Sequence, residues 1–163
     1  MNKSNIGVYP PYFEHYLSIT KEENALVGLS NSLPNMTAYL NALTAEQLDF
    51  AYAPGKWTIM ELLLHLMDSE RIFCYRALSI ARGEKQAMIG FDENEYAANA
   101  NAGRYQRETI IRDYLLVRQN TIALFESFDP SVYSNSGIAN GNPVSLTAIG
   151  FAILGHEQHH IQV

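Results

Sequence analysis

The sequence predicts an all-α protein, a four-helix bundle with short connecting turns. Three observations carry this reading. Apolar residues recur at spacings of three, four and seven in separate segments, which lays one stripe along each prospective helix. Helix-start signals stand before two of those segments. No segment shows the sustained alternation of a half-buried strand, and at most a small extended segment falls before the last helix. Helices with single apolar stripes bury them against one another, and a bundle is the simplest way to do so. The 163 residues are expected to form one domain, 1–163, with enough chain for a sizeable core.

The first helix is expected over about 22–42, with Pro34 kinking or splitting it because proline lacks the N–H of an interior turn. In the connector TAEQLDFAYAPGKW, Thr44 and Gln47 can cap a single turn. The second helix opens on Thr58-Ile59-Met60-Glu61, a capping box, and runs to about Arg82 before Gly83. Its stripe is Leu62, Leu66, Phe73, Ala77 and Ile80. Residues 84–102 read as a long loop with one turn at DENEYAAN. A third helix spans about 104–128, with Ile111, Leu115, Leu124 and Phe128 as its stripe and Pro130 beyond its end. In NSGIANGNPVS, Asn140-Gly141 signals a tight turn between short extended pieces. The last helix starts from Ser145 as N-cap and carries Leu146, Ile149, Ile153, His156 and His160 on one face. Its pattern still runs at Val163, as expected of a chain that continues. The N-terminal segment MNKSNIGVYPPYFEHY reads as irregular, and its His15 as structural.

Composition narrows the function. Apolar residues make up 47% and charged residues 17%, a balance that speaks for a folded chain rather than a disordered one. The net charge of −6 argues against a nucleic-acid partner, which needs a basic surface; the cluster Arg71, Arg76, Arg82 is interleaved with Asp68, Glu70 and Glu84. The single cysteine, Cys74, sits in a helical apolar context and reads as a buried thiol of a reducing compartment. The N-terminus lacks the apolar core of a signal peptide, and the longest weakly polar run, LTAIGFAILG, is far short of the ~20 residues of a membrane span. A cytoplasmic protein with no membrane partner is expected.

Three of the five histidines fall in GHEQHH, residues 155–160. His156 and His160 are four apart on a helix, so their rings lie one turn apart on the same side. Two neutral imidazoles so placed can chelate a divalent ion. His65, at the edge of the second helix's stripe, points toward the interior and is the best candidate for a third ligand. His159 falls to the side, beside the site or on the surface. The pattern His156-Glu157-x-x-His160 also fits zinc proteases. Those take their third ligand C-terminal to the motif, and only three residues follow His160 here, which argues against proteolysis.

The stretches YAPGKWTIMELLLHLMDSERIFCYRALSIARGE (52–84), GFDENEYA (90–97) and NGNPVSLTAIGFAILGHEQHHI (140–161) resemble the DinB-like (DinB/YfiT) superfamily of metal-binding four-helix-bundle proteins. The likeness runs from about residue 22 to the end. It implies a divalent metal held by one histidine of the second helix and two of the last, positions that match His65, His156 and His160. It also implies metal-assisted chemistry in which a low-molecular-weight thiol is transferred to an electrophile. The alternatives are a metal-dependent hydrolase and a non-catalytic, metal-binding stress-response protein. Three histidines suit zinc, nickel, copper or iron, with zinc or nickel taken first. A homodimer is expected from the family and from Leu63 and Leu64, which fall outside the main stripe.

Other residues take lesser roles. Glu157 is a candidate catalytic base only if turned inward, because it sits about 100° round the helix from His156; otherwise it makes a salt bridge. Asp68 can orient an imidazole or stay solvated. Trp57 reads mainly as an aromatic anchor at the helix entrance, with a place in the pocket wall as its lesser option. Phe91, Asp92 and Tyr96 can cover a mouth of the site. Arg76, three turns beyond His65 on the same side, is expected in an internal ion pair, with a carboxylate of a thiol cofactor as its other option.

Overall fold

The computed structural model describes residues 1–162. Seven helices and one hairpin follow in order: α1 (Glu14–Ile19), α2 (Ala25–Ala42), α3 (Ala45–Leu48), α4 (Ile59–Ala81), α5 (Glu93–Asn99), α6 (Arg107–Glu126), β1 (Ser136–Ala139), β2 (Asn142–Ser145) and α7 (Leu146–Ile161). Short 3₁₀ turns link several of them. The four long helices α2, α4, α6 and α7 form the bundle. Both α2 and α4 pack against α6 and α7, which sets α2 across the diagonal from α4.

Local chemistry explains the boundaries. The Thr58 hydroxyl accepts from Glu61 N and the Glu61 carboxylate accepts from Thr58 N, so the capping box starts α4 as expected. Thr44 and Gln47 close the same reciprocal pair on α3. Asn140 and Gly141 take φ of 49° and 73°, the paired left-handed conformation that a two-residue hairpin turn requires. Ser145 caps α7 by accepting from Ala148 N. Val163, where the sequence still reads as helix, lies outside the described residues.

Four expectations are corrected. First, of the kink or split expected at Pro34 the split is excluded, because α2 is one continuous helix through it. Pro34 and Ser30 are both exposed, so water can satisfy the Ser30 carbonyl that the missing N–H leaves without its helical donor. Second, the N-terminal segment is not irregular throughout. It contains α1, which docks on α7. An alanine Cβ at Gly155 would stand only 2.3 Å from the Tyr16 carbonyl oxygen, so glycine there is what allows α1 to lie so close. Third, the buried face of α6 is Ile110, Ile111, Tyr114, Arg118, Thr121 and Phe125, so Leu115 and Leu124 are only partly covered. Fourth, Leu63 and Leu64 are 3% exposed inside the chain's own core, so they offer no surface to a second copy.

The core divides into two apolar clusters. One joins α1, α7, the hairpin, the C-terminal half of α4, the start of α2 and Phe125 near the end of α6; the other joins the C-terminal half of α2, α3, the N-terminal half of α6 and the N-terminal half of α4. Helix α7 is buried continuously from Leu146 to Glu157, on every side rather than one, as its near-unbroken apolar run requires. Polar side chains of α4 and α7 meet where the two clusters join.

Candidate metal centre

The structure brings His65, His156 and His160 together, with one ring nitrogen of each within 4.8 Å of the others. His65 comes from the second turn of α4, and the other two lie one turn apart near the end of α7. His156 Nε2 stands 3.0 Å from His65 Nε2 and 3.1 Å from His160 Nε2. Two donors each ~2.0–2.1 Å from a shared zinc-sized ion lie about that far apart when they subtend slightly more than a right angle. The donor set and its spacing therefore fit one divalent ion on three imidazoles.

Their electrostatics agree. Burial, then repulsion from His160, His65 and His159, holds the His156 pKa well below the usual imidazole value. His160 is pushed down to about 4, first by burial and then by His65 and His159. Burial lowers His65 too, against weaker opposite pulls from Glu93 and Asp68. Near pH 7 all three rings are neutral, and a neutral ring is what can offer a lone pair to a metal.

A cavity of about 320 Å³ opens onto the three rings. Trp57 lines it, its ring centroid 4.7 Å from that of His65, so it takes the lesser of the two roles expected for it. Trp57, His159 and His160 also border a neighbouring cavity of about 610 Å³. Phe91 lines the smaller cavity as expected, and Tyr96 packs on Phe91 with centroids 5.0 Å apart. Asp92 instead caps α5, accepting from Asn94 N and Glu95 N. Asp68 pairs with Arg71 at 3.1 Å and does not reach an imidazole. His159 meets His15 of α1 at 3.1 Å, beside the site.

The sequence reading missed several residues of this cavity. Tyr12, Phe13 and Tyr16 enter it through the unforeseen α1 region, and Asn140 from the hairpin turn. Glu93, in the first turn of α5, is the one carboxylate lining it among the described residues. Arg76 also lines it and makes no salt bridge, so the internal ion pair expected for Arg76 is absent among the described residues.

Glu157 is turned away from the imidazoles. The step of about 100° from His156 points it at α6, where Arg118 Nη1 meets its Oε2 at 2.8 Å and the Tyr114 hydroxyl donates to the same oxygen. This is the salt-bridge alternative, and the role of inward-facing base is corrected accordingly. Arg118 also donates from Nε and Nη2 to both Glu70 carboxylate oxygens, at 2.8 and 2.9 Å, and from Nη1 to Ser32 Oγ at 2.7 Å. One guanidinium thus ties together α2, α4, α6 and α7. Burial opposes the Arg118 charge, but Glu70 and Glu157 outweigh it and raise its pKa above the ordinary value. The clamp fixes α4 against α7 within two turns of all three histidines.

The fold and site define a four-helix bundle with three histidines gathered from two of its helices, a group able to hold a metal ion. The family model of the DinB superfamily matches residues 29–163, and the chain belongs to that superfamily. Among solved structures it is similar to YfiT from Bacillus subtilis, with a TM-score of 0.75 and 19% identity over 95% of this chain and 88% of that one. That protein is described as a probable metal-dependent hydrolase with an unusual four-helix bundle topology. No curated protein sequence matches the chain. No helix among the described residues is long and apolar enough to cross a membrane.

Proposed function

We propose that the chain is a divalent-metal-dependent enzyme that transfers a low-molecular-weight thiol to a small electrophile, with His65, His156 and His160 holding the ion. The observation that carries this is the convergence of three neutral imidazoles at the wall of an organic-sized cavity. When bound, a divalent ion on three neutral ligands keeps its full charge, lowers the pKa of a thiol or water at its open position and polarises an electrophile.

The chain's own residues favour a thiol. A thiol has one proton to lose and needs no dedicated base, and the carboxylate of the H-E-x-x-H motif is committed to Arg118. Tyr16, Trp57, Phe73 and Phe91 give the cavity aromatic walls suited to hold an organic ligand against the imidazoles. Hydrolysis is the second reading, favoured by the description of YfiT and by Glu93, which lines the cavity and would serve as the base that activates water. The cytoplasm remains the expected compartment, and pairing with a second copy would need a surface other than Leu63 and Leu64.

The test is turnover of a panel of electrophiles and esters by the metal-loaded chain, with and without added thiol. Thiol transfer requires turnover only with thiol present and nearly unchanged in Glu93→Gln. Thiol-independent turnover that Glu93→Gln abolishes would establish hydrolysis instead.

A further inference from the structure

We infer that Arg76 is the recognition point for a carboxylate on the small molecule that the three-histidine site acts on. This rests on the reading of that site as the catalytic centre. Arg76 is 5% exposed, yet among the described residues it has no acidic partner. Its one hydrogen bond runs from Nη2 to the Ile89 carbonyl at 3.0 Å, and its buried Nε has no partner at all. A buried guanidinium is costly unless paired, so a cation kept in this state beside a cavity is poised for an anion. Burial lowers its pKa, the cost that an incoming carboxylate would relieve.

Geometry bounds the length of the ligand. Arg76 follows His65 by eleven residues, about 20° apart on the helical wheel, so both side chains leave the same face of α4 into one cavity. The Phe73 ring centroid lies 5.9 Å from Arg76 Cζ and 6.3 Å from the His156 ring centroid, which puts the guanidinium no more than roughly 12 Å from His156. A short chain with a carboxylate at one end and its reacting group at the other spans that interval. The planar fork of arginine suits a carboxylate, and the exposed Glu93, which lines the same cavity, makes no pair with it among the described residues. The carboxylate belongs either to the thiol or to the electrophile, and both sources present the same chemistry to Arg76.

Four probes separate the two ends of the site: 4-mercaptobutyrate, 4-mercapto-1-butanol, pentanoate and 1-pentanol. Dissociation constants follow from quenching of Trp57, the single tryptophan, which lines the same cavity. They are measured on the metal-loaded native chain, Arg76→Met and Arg76→Lys, with circular dichroism as the folding control. Each acid is expected to bind the native chain roughly 10–100-fold more tightly than its alcohol, the worth of a charge-assisted hydrogen bond. Arg76→Met removes that preference and Arg76→Lys keeps part of it, while the preference for thiol over methyl stays. Equal binding of acid and alcohol by the native chain, no binding of any probe, or an acid preference that survives in Arg76→Met overturns the inference. If Arg76→Met does not fold, the native and Arg76→Lys comparisons decide: an undiminished preference in the lysine variant also overturns it. Loss of the thiol preference with the acid preference intact counts against the metal centre and not against Arg76. If the acid preference appears, metal-loaded crystals with each acid-bearing reactant show whether the thiol or the electrophile carries it.

Discussion

Replacing Arg118 with methionine tests whether the buried clamp holds the bundle together. Methionine fills similar space but leaves Glu70 and Glu157 buried without their cation, at 4% and 2% exposure. Four contacts of 2.7–2.9 Å disappear together. Breaking a buried ion pair from one side costs about 3–5 kcal/mol, because the abandoned carboxylates keep their desolvation penalty. Against a typical stability of about 5–15 kcal/mol this is a large share, and it corresponds to a fall in Tm of roughly 6–20 °C for a chain of this size. The assay is urea unfolding of metal-free protein, followed by far-ultraviolet circular dichroism. The double variant Glu70→Leu with Arg118→Met should lose less than the sum of the two single variants, because the two residues share one interaction. A loss below about 1 kcal/mol for Arg118→Met would refute the clamp and place the pair among weak surface bridges.

Two further outcomes follow. Gly155→Ala sets a Cβ 2.3 Å from the Tyr16 carbonyl oxygen, a backbone atom that cannot swing aside. The variant should lose at least about 1–3 kcal/mol of stability, the usual cost of overpacking, and α1 should exchange its amide protons faster; unchanged stability would show that α1 docks loosely. In metal-free protein, acid should destabilise the fold. An unfolded imidazole takes up its proton near 6.5 and folded His160 only near 4, so the unfolded state binds more protons between those values. Stability is then full above about pH 6.5 and falls as pH drops toward 4, with His65 and His156 shifted in the same direction. A flat profile over that window in the native chain, matched by His160→Ala, would contradict the neutral cluster.

The parts of the site legible in the sequence were those written in local spacing. His156 and His160 at i and i+4 fix a shared direction, and His65 on a stripe edge fixes an inward one, so the pair could be grouped with a third histidine 91 positions before His156 without knowing the fold. The capping boxes and the Asn140-Gly141 turn are likewise local. The clamp was not legible, because apolar residues alone were used to find the buried face of α6. Arg118 reads as surface by type, although Tyr114, Arg118, Thr121 and Phe125 carry a helical spacing that pointed to it. Helix α1 escaped notice because six residues are too few to carry a periodic signal, and its position depends on the gap left by Gly155 in a distant helix.

The three-histidine centre is tested most directly by elemental analysis of the native chain and of His65→Ala and His160→Ala, after incubation with zinc and with nickel. About one equivalent of metal in the native chain, lost in both variants while each stays helical, is the expected result for ligands drawn from α4 and α7 to one ion. A native chain that binds neither metal, or a His65→Ala variant that keeps its full equivalent, would contradict a single centre built from these residues.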